Sequence, residues 1–107
     1  LRSVAANSYR MDLVTGNNWL AAGDAALAFD PLSSQGIYHA LRSGLLAARA
    51  IEDCQAGDQT ALGEYSWETQ RRFDRYLRMR AEYYSQERRW SCSAFWQRRQ
   101  NAPDRAL

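Results

Sequence analysis

Apolar residues in the middle of the chain recur at the spacing of a helix. The run begins after Ser33 and stops at Gly57, a residue type that commonly ends helices. Three small residues within it recur every fourth position, and such a ridge lets a helix backbone lie close to a sheet or to another helix. The pattern predicts a helix whose packing face contains Ile37, Ala40, Leu41, Gly44, Leu45, Ala48 and Ile51.

A second stripe, rich in aromatic residues, predicts a longer helix from about Thr60 to about Arg88. The residues expected on its buried face are Leu62, Tyr65, Thr69, Phe73, Tyr76, Leu77 and Tyr84. Opposite charges four positions apart also predict ion pairs on its outer face, between Glu68 and Arg72, Asp74 and Arg78, and Arg78 and Glu82.

Shorter elements are expected at both ends of the chain. Residues 1–14 alternate weakly and predict an edge strand, and residues 15–18 (Thr-Gly-Asn-Asn) predict a turn. The apolar run 19–22 is typical of a strand buried on both faces of a parallel sheet. Near the C-terminus we expect a short helix with Ser93 as its cap and a fraying tail after it. Its buried side would be formed by Phe95 and Trp96.

Composition narrows the class of protein. The 107 residues suffice for one small domain, but the chain begins at Leu1, so we expect a fragment whose partner is the missing N-terminal part of the same protein. The net charge of +2 is too small to argue for nucleic acid on its own, so no nucleic-acid partner is expected. No membrane segment or signal peptide is evident, and we expect a cytoplasmic location. Cys54 and Cys92 lack metal-ligand spacing, which predicts reduced thiols and no metal site, with one disulfide as the alternative.

The candidate chemistry lies between the short apolar run and the first long helix. Asp24 follows the run at what would be the carboxyl edge of a sheet, where its carboxylate can accept hydrogen bonds from ribityl or ribose hydroxyls. The alternative is that Asp24 only caps a turn. A helix that opens on residues 33–37 presents free N–H groups, which favour negative charge. Asp30 is the other nearby carboxylate and is a candidate to satisfy amides of its own loop.

Residues 21–26 (Ala-Ala-Gly-Asp-Ala-Ala) and 30–37 (Asp-Pro-Leu-Ser-Ser-Gln-Gly-Ile) resemble the second FAD-binding motif of the p-hydroxybenzoate hydroxylase-like flavin-dependent monooxygenases. The Asp-Pro-Leu-Ser-Ser form is most similar to the flavin-dependent halogenase-like branch, and residues 80–90 and 95–99 resemble C-terminal helices of that branch. The likeness covers about residues 19–99. It implies an intact α/β, Rossmann-like FAD-binding protein, of which this fragment is mostly α. Residues 1–57 would end the FAD-binding domain, and 58–107 would form a C-terminal helical segment.

The resemblance also implies cofactor contacts. Asp24 and Gly23 would bind the ribityl chain of FAD, Pro31 and Ser33 would line the flavin face, and the backbone amides of Gly36 and Ile37 would meet the pyrimidine edge. Two departures bear on the reaction. Gln35 stands where halogenases usually carry a small hydroxyl residue, and neither the halogenase lysine nor the N-terminal Gly-x-Gly-x-x-Gly turn is in this stretch.

The resulting prediction is the C-terminal part of an FAD-dependent monooxygenase that uses NAD(P)H and dioxygen on a small-molecule or protein-bound substrate. A halogenase and a reductase are alternatives within flavin chemistry, and a non-enzymatic helical interaction module is the alternative outside it. No residue is identified as catalytic. His39 is expected to be a packing or surface residue rather than a general base. The nine aromatic residues between Tyr65 and Trp96 are expected to form core rather than a substrate pocket.

Overall fold

A computed structural model describes residues 7–101. Three helices carry most of this stretch, and they are α1 (Gly36–Gln55), α2 (Ala61–Gln86) and α3 (Ala94–Asn101). Four two-residue strands precede them, namely β1 (Tyr9–Arg10), β2 (Thr15–Gly16), β3 (Trp19–Leu20) and β4 (Leu27–Ala28). Short 3₁₀ helices at Gly23–Ala25 and Pro31–Ser33 join the strands to α1. The expectation of a mostly helical fragment with short strands near the N-terminus is confirmed.

The strands form two antiparallel pairs. In one pair Tyr9 lies opposite Ala28, and in the other Thr15 lies opposite Leu20. The predicted parallel strand over residues 19–22 is therefore wrong, because β3 is one arm of an antiparallel hairpin and Trp19 is 44% exposed. The chain reverses at Asn18, which adopts φ 61°, a left-handed conformation that asparagine takes more readily than most residues. Of the edge strand predicted over residues 1–14, β1 is present, and residues 1–6 lie outside the described residues.

Helix α2 buries the stripe that its sequence predicts. Tyr65, Thr69, Phe73, Tyr76 and Tyr84 are all buried, and the helix ends within two residues of the expected limits. Two of its acidic side chains have partners other than those expected. A carboxylate oxygen of Glu68 lies 3.5 Å from Arg42 of α1, and Asp74 accepts a hydrogen bond of 2.8 Å from Gln70.

Helix α1 packs on α2 through the face opposite to the one predicted. Its buried residues are His39, Ser43, Ala47 and Ala50. The predicted packing face is exposed instead, with 82% of Ile37, 68% of Leu41 and 70% of Leu45 accessible. Ala47 and Ala50 lie in the core with Tyr65 and Phe73 of α2, whose rings fill space that larger side chains at these two positions would need.

The core joins the two helices to the strands. It contains Val14, Ala26, Leu27, Ala47, Ala50, Tyr65, Phe73 and Tyr76. Helix α3 adds a smaller contact, in which Trp96 is half-buried and its ring centroid lies 5.9 Å from that of Tyr84. Phe95 is 44% exposed, so the expectation that it is buried is wrong. The predicted fraying tail lies mostly beyond the described residues.

Two further observations concern the described part of the chain as a whole. Cys54 and Cys92 are both free thiols. Within residues 7–101, none of the helices combines the length and apolarity needed to cross a membrane.

Candidate functional site

The turn that carries Asp24 is held against the first half of α1. The backbone N–H of Gly23 donates a hydrogen bond of 2.8 Å to the Ser43 hydroxyl, which itself donates to the carbonyl oxygen of Ala40. Gly23 has φ +59°, a backbone conformation that residues other than glycine rarely adopt. A β-carbon at Gly23 would meet Ala40 only at ordinary van der Waals distance, so backbone conformation rather than space requires the glycine.

Asp24 itself is exposed beside the first turn of α1. Its backbone carbonyl accepts a hydrogen bond from the Tyr9 hydroxyl, which fixes the turn. Its carboxylate lies near enough to His39 to favour the charged form of that imidazole electrostatically. The side chain of Asp24 is thus presented to the surface next to the helix start.

The loop from Asp30 to Gln35 leads into the tip of α1. Pro31 opens the second 3₁₀ helix, Ser34 adopts the left-handed φ of 52°, and the Ser33 hydroxyl accepts a hydrogen bond of 3.3 Å from the Gln35 N–H. These contacts turn the chain sharply. Helix α1 then begins with no side-chain cap at its N-terminus.

The helix tip is open as well as uncapped. Gly36 and Ile37 are exposed, and a β-carbon placed on Gly36 would meet nothing within 4 Å. The first N–H groups of a helix have no intrahelical partner, and they carry the positive end of the helix dipole. The tip can therefore receive a planar or anionic group close to its backbone.

Asp30 ties the same loop to α2, which the sequence did not reveal. Its carboxylate accepts hydrogen bonds of 2.9 Å from the Leu32 N–H and 2.8 Å from the Tyr84 hydroxyl, and its backbone N–H donates to the Tyr76 hydroxyl at 2.7 Å. The guanidinium of Arg80 lies 3.6 Å away. The predicted role of Asp30 in satisfying loop amides is confirmed, and its contacts with the tyrosines connect the loop to the core.

The pKa of Asp30 reflects these partners. Burial by itself would raise it, but the hydrogen bonds from Leu32 and Tyr84 and the charges of Arg80 and Arg99 lower the pKa below its ordinary value. Asp30 is therefore an anchored anion at neutral pH.

His39 is part of the interior and not of the exposed site. It is 2% exposed, and its ring centroid lies 4.8 Å from that of Phe29. Neither ring nitrogen has a partner at hydrogen-bonding geometry among the described residues, although the nearby Gly23 backbone favours the charged form. Burial, and then the charge of Arg72, lower its pKa, so the imidazole is neutral. This packing role agrees with the sequence-based preference.

The six residues predicted to contact the cofactor thus lie around the N-terminal half of α1. The turn at Gly23 and Asp24 is held against α1 at Ala40 and Ser43. The other four, Pro31, Ser33, Gly36 and Ile37, form the loop and tip that open the helix. Their chemistry fits a flavin, because an exposed carboxylate suits hydroxyl donors and open amides suit an electron-rich ring edge. Binding of a cofactor by these residues stays a prediction.

Three known proteins are similar to parts of this chain. It is 36% identical over 83 residues to LodB of Marinomonas mediterranea, which is named as a proposed FAD-dependent oxidoreductase, and the match covers 78% of this chain and 22% of LodB. It is 35% identical over 66 residues to a 1H-pyrrole-2-carbonyl-(peptidyl-carrier protein) brominase of Pseudoalteromonas luteoviolacea, with 62% of this chain and 16% of the relative covered. It is 44% identical over 39 residues to a menaquinone reductase of Mycobacterium tuberculosis, with 36% and 10% covered.

The matched stretch is short relative to these proteins, since the chain spans 22% of LodB and less of the other two. No family model and no solved structure matches the chain. The names of the relatives support a flavoprotein family and, within it, oxidoreductase or halogenase enzymes.

Proposed function

We propose that this chain is the C-terminal part of an FAD-dependent oxidoreductase of the monooxygenase type. The observation that carries the proposal is the exposed Asp24, on a turn hydrogen-bonded to α1, together with an exposed helix start whose first amides, at Gly36 and Ile37, have no side-chain cap. The similarity to an FAD-dependent oxidoreductase over most of the chain supports the same conclusion.

FAD, when bound, would supply redox chemistry, with NAD(P)H as the reductant and dioxygen as the oxidant. The residues of this chain hold and orient the cofactor. Asp24 accepts hydrogen bonds from ribityl hydroxyls, and Pro31 and Ser33 bound the ring face. The amides of Gly36 and Ile37, together with the helix dipole, stabilise negative charge at the pyrimidine edge.

The exposed face of α1 supports the view that the site is completed by other residues of the same protein. Ile37, Leu41 and Leu45 form an apolar row that begins at the helix tip. Burying a side chain of this size contributes about 1.5–3 kcal/mol. We infer that the N-terminal part of the protein covers this row and brings the remaining flavin contacts to the tip.

A halogenase is the second candidate, and the similarity to the brominase over 66 residues favours it. Gln35 argues against a halide pocket, because an amide replaces the small hydroxyl residue usual in halogenases. The substrate under either reaction is a small molecule or a group carried on a protein.

Purification of the full-length protein tests the flavin proposal. We expect a yellow protein whose FAD content falls strongly in Asp24→Ala and not in Asp53→Ala, a control that removes an exposed carboxylate from the far end of α1. With cofactor removed from all three proteins, the two variants should unfold at about the same temperature as the parent. A colourless full-length protein, or equal FAD content in the two variants, would contradict the flavin site, and the first result would favour the helical interaction module.

A further inference from the structure

A groove lined by arginine residues runs between α1 and α2, beside the loop that leads to the helix tip. It has a volume of about 610 Å³, and the charged side chains that line it are Arg42, Arg71, Arg72, Arg75, Arg78 and Glu68. Ser34 and Gln35 border it at the end nearest the candidate flavin site. We call this feature the arginine groove.

Aromatic rings hold some of these arginines in place. The guanidinium of Arg71 lies 4.5 Å from the ring centroid of Trp67, and that of Arg72 lies 5.7 Å from the ring centroid of Tyr38. Cation–π contacts orient a guanidinium without neutralising it. The arginines therefore keep their positive charge available to a ligand.

Negative charge within the arginine groove is scarce. Glu68 is the one carboxylate of residues 7–101 that lines it, and it pairs with Arg42. The nearby Asp74 accepts a hydrogen bond from Gln70 and does not line the groove. Five guanidinium groups against one carboxylate make this surface strongly basic, although the whole chain carries a net charge of only +2.

One atom of the arginine groove is buried without a partner. Among the described residues, nothing hydrogen-bonds to Nη1 of Arg72, although that atom is inaccessible to solvent. Burial of a charged group without hydrogen bonds is unfavourable unless a counter-charge offsets it. The rest of this guanidinium interacts with the Tyr38 hydroxyl, and an anionic ligand in the groove would offset its charge through space without contacting Nη1.

The arrangement of the arginines indicates the shape of the ligand. Arg71, Arg75 and Arg78 follow one face of α2 over two turns, about 10 Å, and so do not converge on a single point. A small phosphate needs converging donors, whereas carboxylates spaced along a peptide match a row, and guanidinium groups pair with carboxylates through two parallel hydrogen bonds.

We propose that the arginine groove is a docking site for an acidic segment of a partner protein. Because the groove adjoins Ser34 and Gln35, a partner bound there lies next to the loop before the α1 tip. Delivery of a partner-borne substrate to the flavin rests on the proposed function, whereas the docking itself does not.

The experiment measures binding of a fluorescently labelled oligoglutamate peptide to the full-length protein by anisotropy. Charge reversal at two exposed groove positions, Arg71→Glu with Arg75→Glu, should weaken binding about tenfold or more. The control reverses two exposed arginines outside the groove, Arg88→Glu with Arg98→Glu, and changes the net charge equally. We expect it to weaken binding less than about twofold. Circular dichroism checks that both variants fold. If the Arg71→Glu, Arg75→Glu variant does not fold, the Arg71→Gln, Arg75→Gln variant takes its place.

Three results would overturn the docking proposal. They are no peptide binding, equal weakening in the groove and control variants, and a stronger interaction with inorganic tripolyphosphate or a single-stranded oligonucleotide than with the peptide. FAD absorbance recorded on the same samples keeps the two proposals separate. A colourless protein that binds the peptide through the groove would retain the docking site and contradict the flavin site.

Discussion

The two long helices place their large apolar side chains on opposite sides, facing the core in α2 and solvent in α1. α2 turns four of its six aromatic rings inward, and Phe73 and Tyr76 are almost fully buried. α1 turns Leu41 and Leu45 outward and offers its small side chains to α2. The contact between the helices is thus complete within the described residues, whereas the outer face of α1 is suited to a further contact. The candidate flavin site lies at the end of this outer face.

The largest expected effect tests the inward side of this comparison. Phe73→Ala should lower the free energy of unfolding by about 3–5 kcal/mol, because it removes a buried ring and leaves a cavity. Tyr83→Ala is the control, since Tyr83 is an exposed aromatic residue on the same helix, and it should change stability by less than about 1 kcal/mol. Urea unfolding measures both. Similar losses in the two variants would mean that the rings of α2 do not form the core.

The next effect tests the open tip of α1. Gly36→Ala should weaken FAD binding to the full-length protein about 5- to 150-fold, because a methyl group inserted into a tight contact costs about 1–3 kcal/mol. Gly63→Ala is the matched control, since a β-carbon at either glycine meets nothing within 4 Å in this structure. Fluorescence titration with FAD compares the variants. Unchanged FAD affinity in Gly36→Ala would show that the ring does not approach this backbone.

A smaller effect tests the tie between the site and α2. Tyr84→Phe removes the hydrogen bond to Asp30 and should destabilise the protein by about 1.5 kcal/mol, since the acceptor is charged.

The folded-state pKa of Asp30 lies below its unfolded value, so its stabilisation is present at neutral pH and is lost as pH falls below about 4. The free energy of unfolding should therefore fall less in Asp30→Asn than in the parent when the pH is lowered from about 5 to about 2, a range that spans the ordinary pKa of an aspartate. An identical pH profile would contradict this role.

The smallest effect tests the outward side. Leu41→Asp with Leu45→Asp should change the unfolding free energy of this 107-residue chain by less than about 0.5 kcal/mol per site, because both side chains are mostly exposed. The same pair should sharply reduce the yield of soluble full-length protein, where we infer that the row is covered. Equal behaviour in the two contexts would remove the inferred contact.

The sequence predicted α2 well because the pattern and its burial are complete within the chain. For α1, periodicity located the apolar residues but could not tell which face would be buried. The buried face carries Ala47 and Ala50, which lie in the core with the rings of α2, and Ser43, which is hydrogen-bonded to Gly23. Local turn chemistry marked residues 15–18, of which residues 17–18 form the turn and Thr15–Gly16 form β2. Two-residue strands are too short for an alternation pattern to identify their pairing.

The candidate site was predictable only in part, for a similar reason. The motif marked the turn at Asp24 and the helix start, which are local features. The contacts of Asp30 with Tyr76 and Tyr84 join residues 46 and 54 positions apart, so no local pattern contains them. Because both tyrosines belong to the aromatic stripe, the sequence predicted that they pack in the core. It did not predict that their hydroxyl groups form hydrogen bonds with Asp30.

Hydrogen–deuterium exchange of the full-length protein, with and without FAD, tests the central claim most directly. We predict that FAD slows exchange at the amides of residues 36–38 and of the turn at residues 23–25, while the amides facing α1 in the middle of α2 exchange equally slowly in both states. Exchange at the helix tip that is the same with and without FAD would contradict the proposal that this tip and Asp24 hold the cofactor.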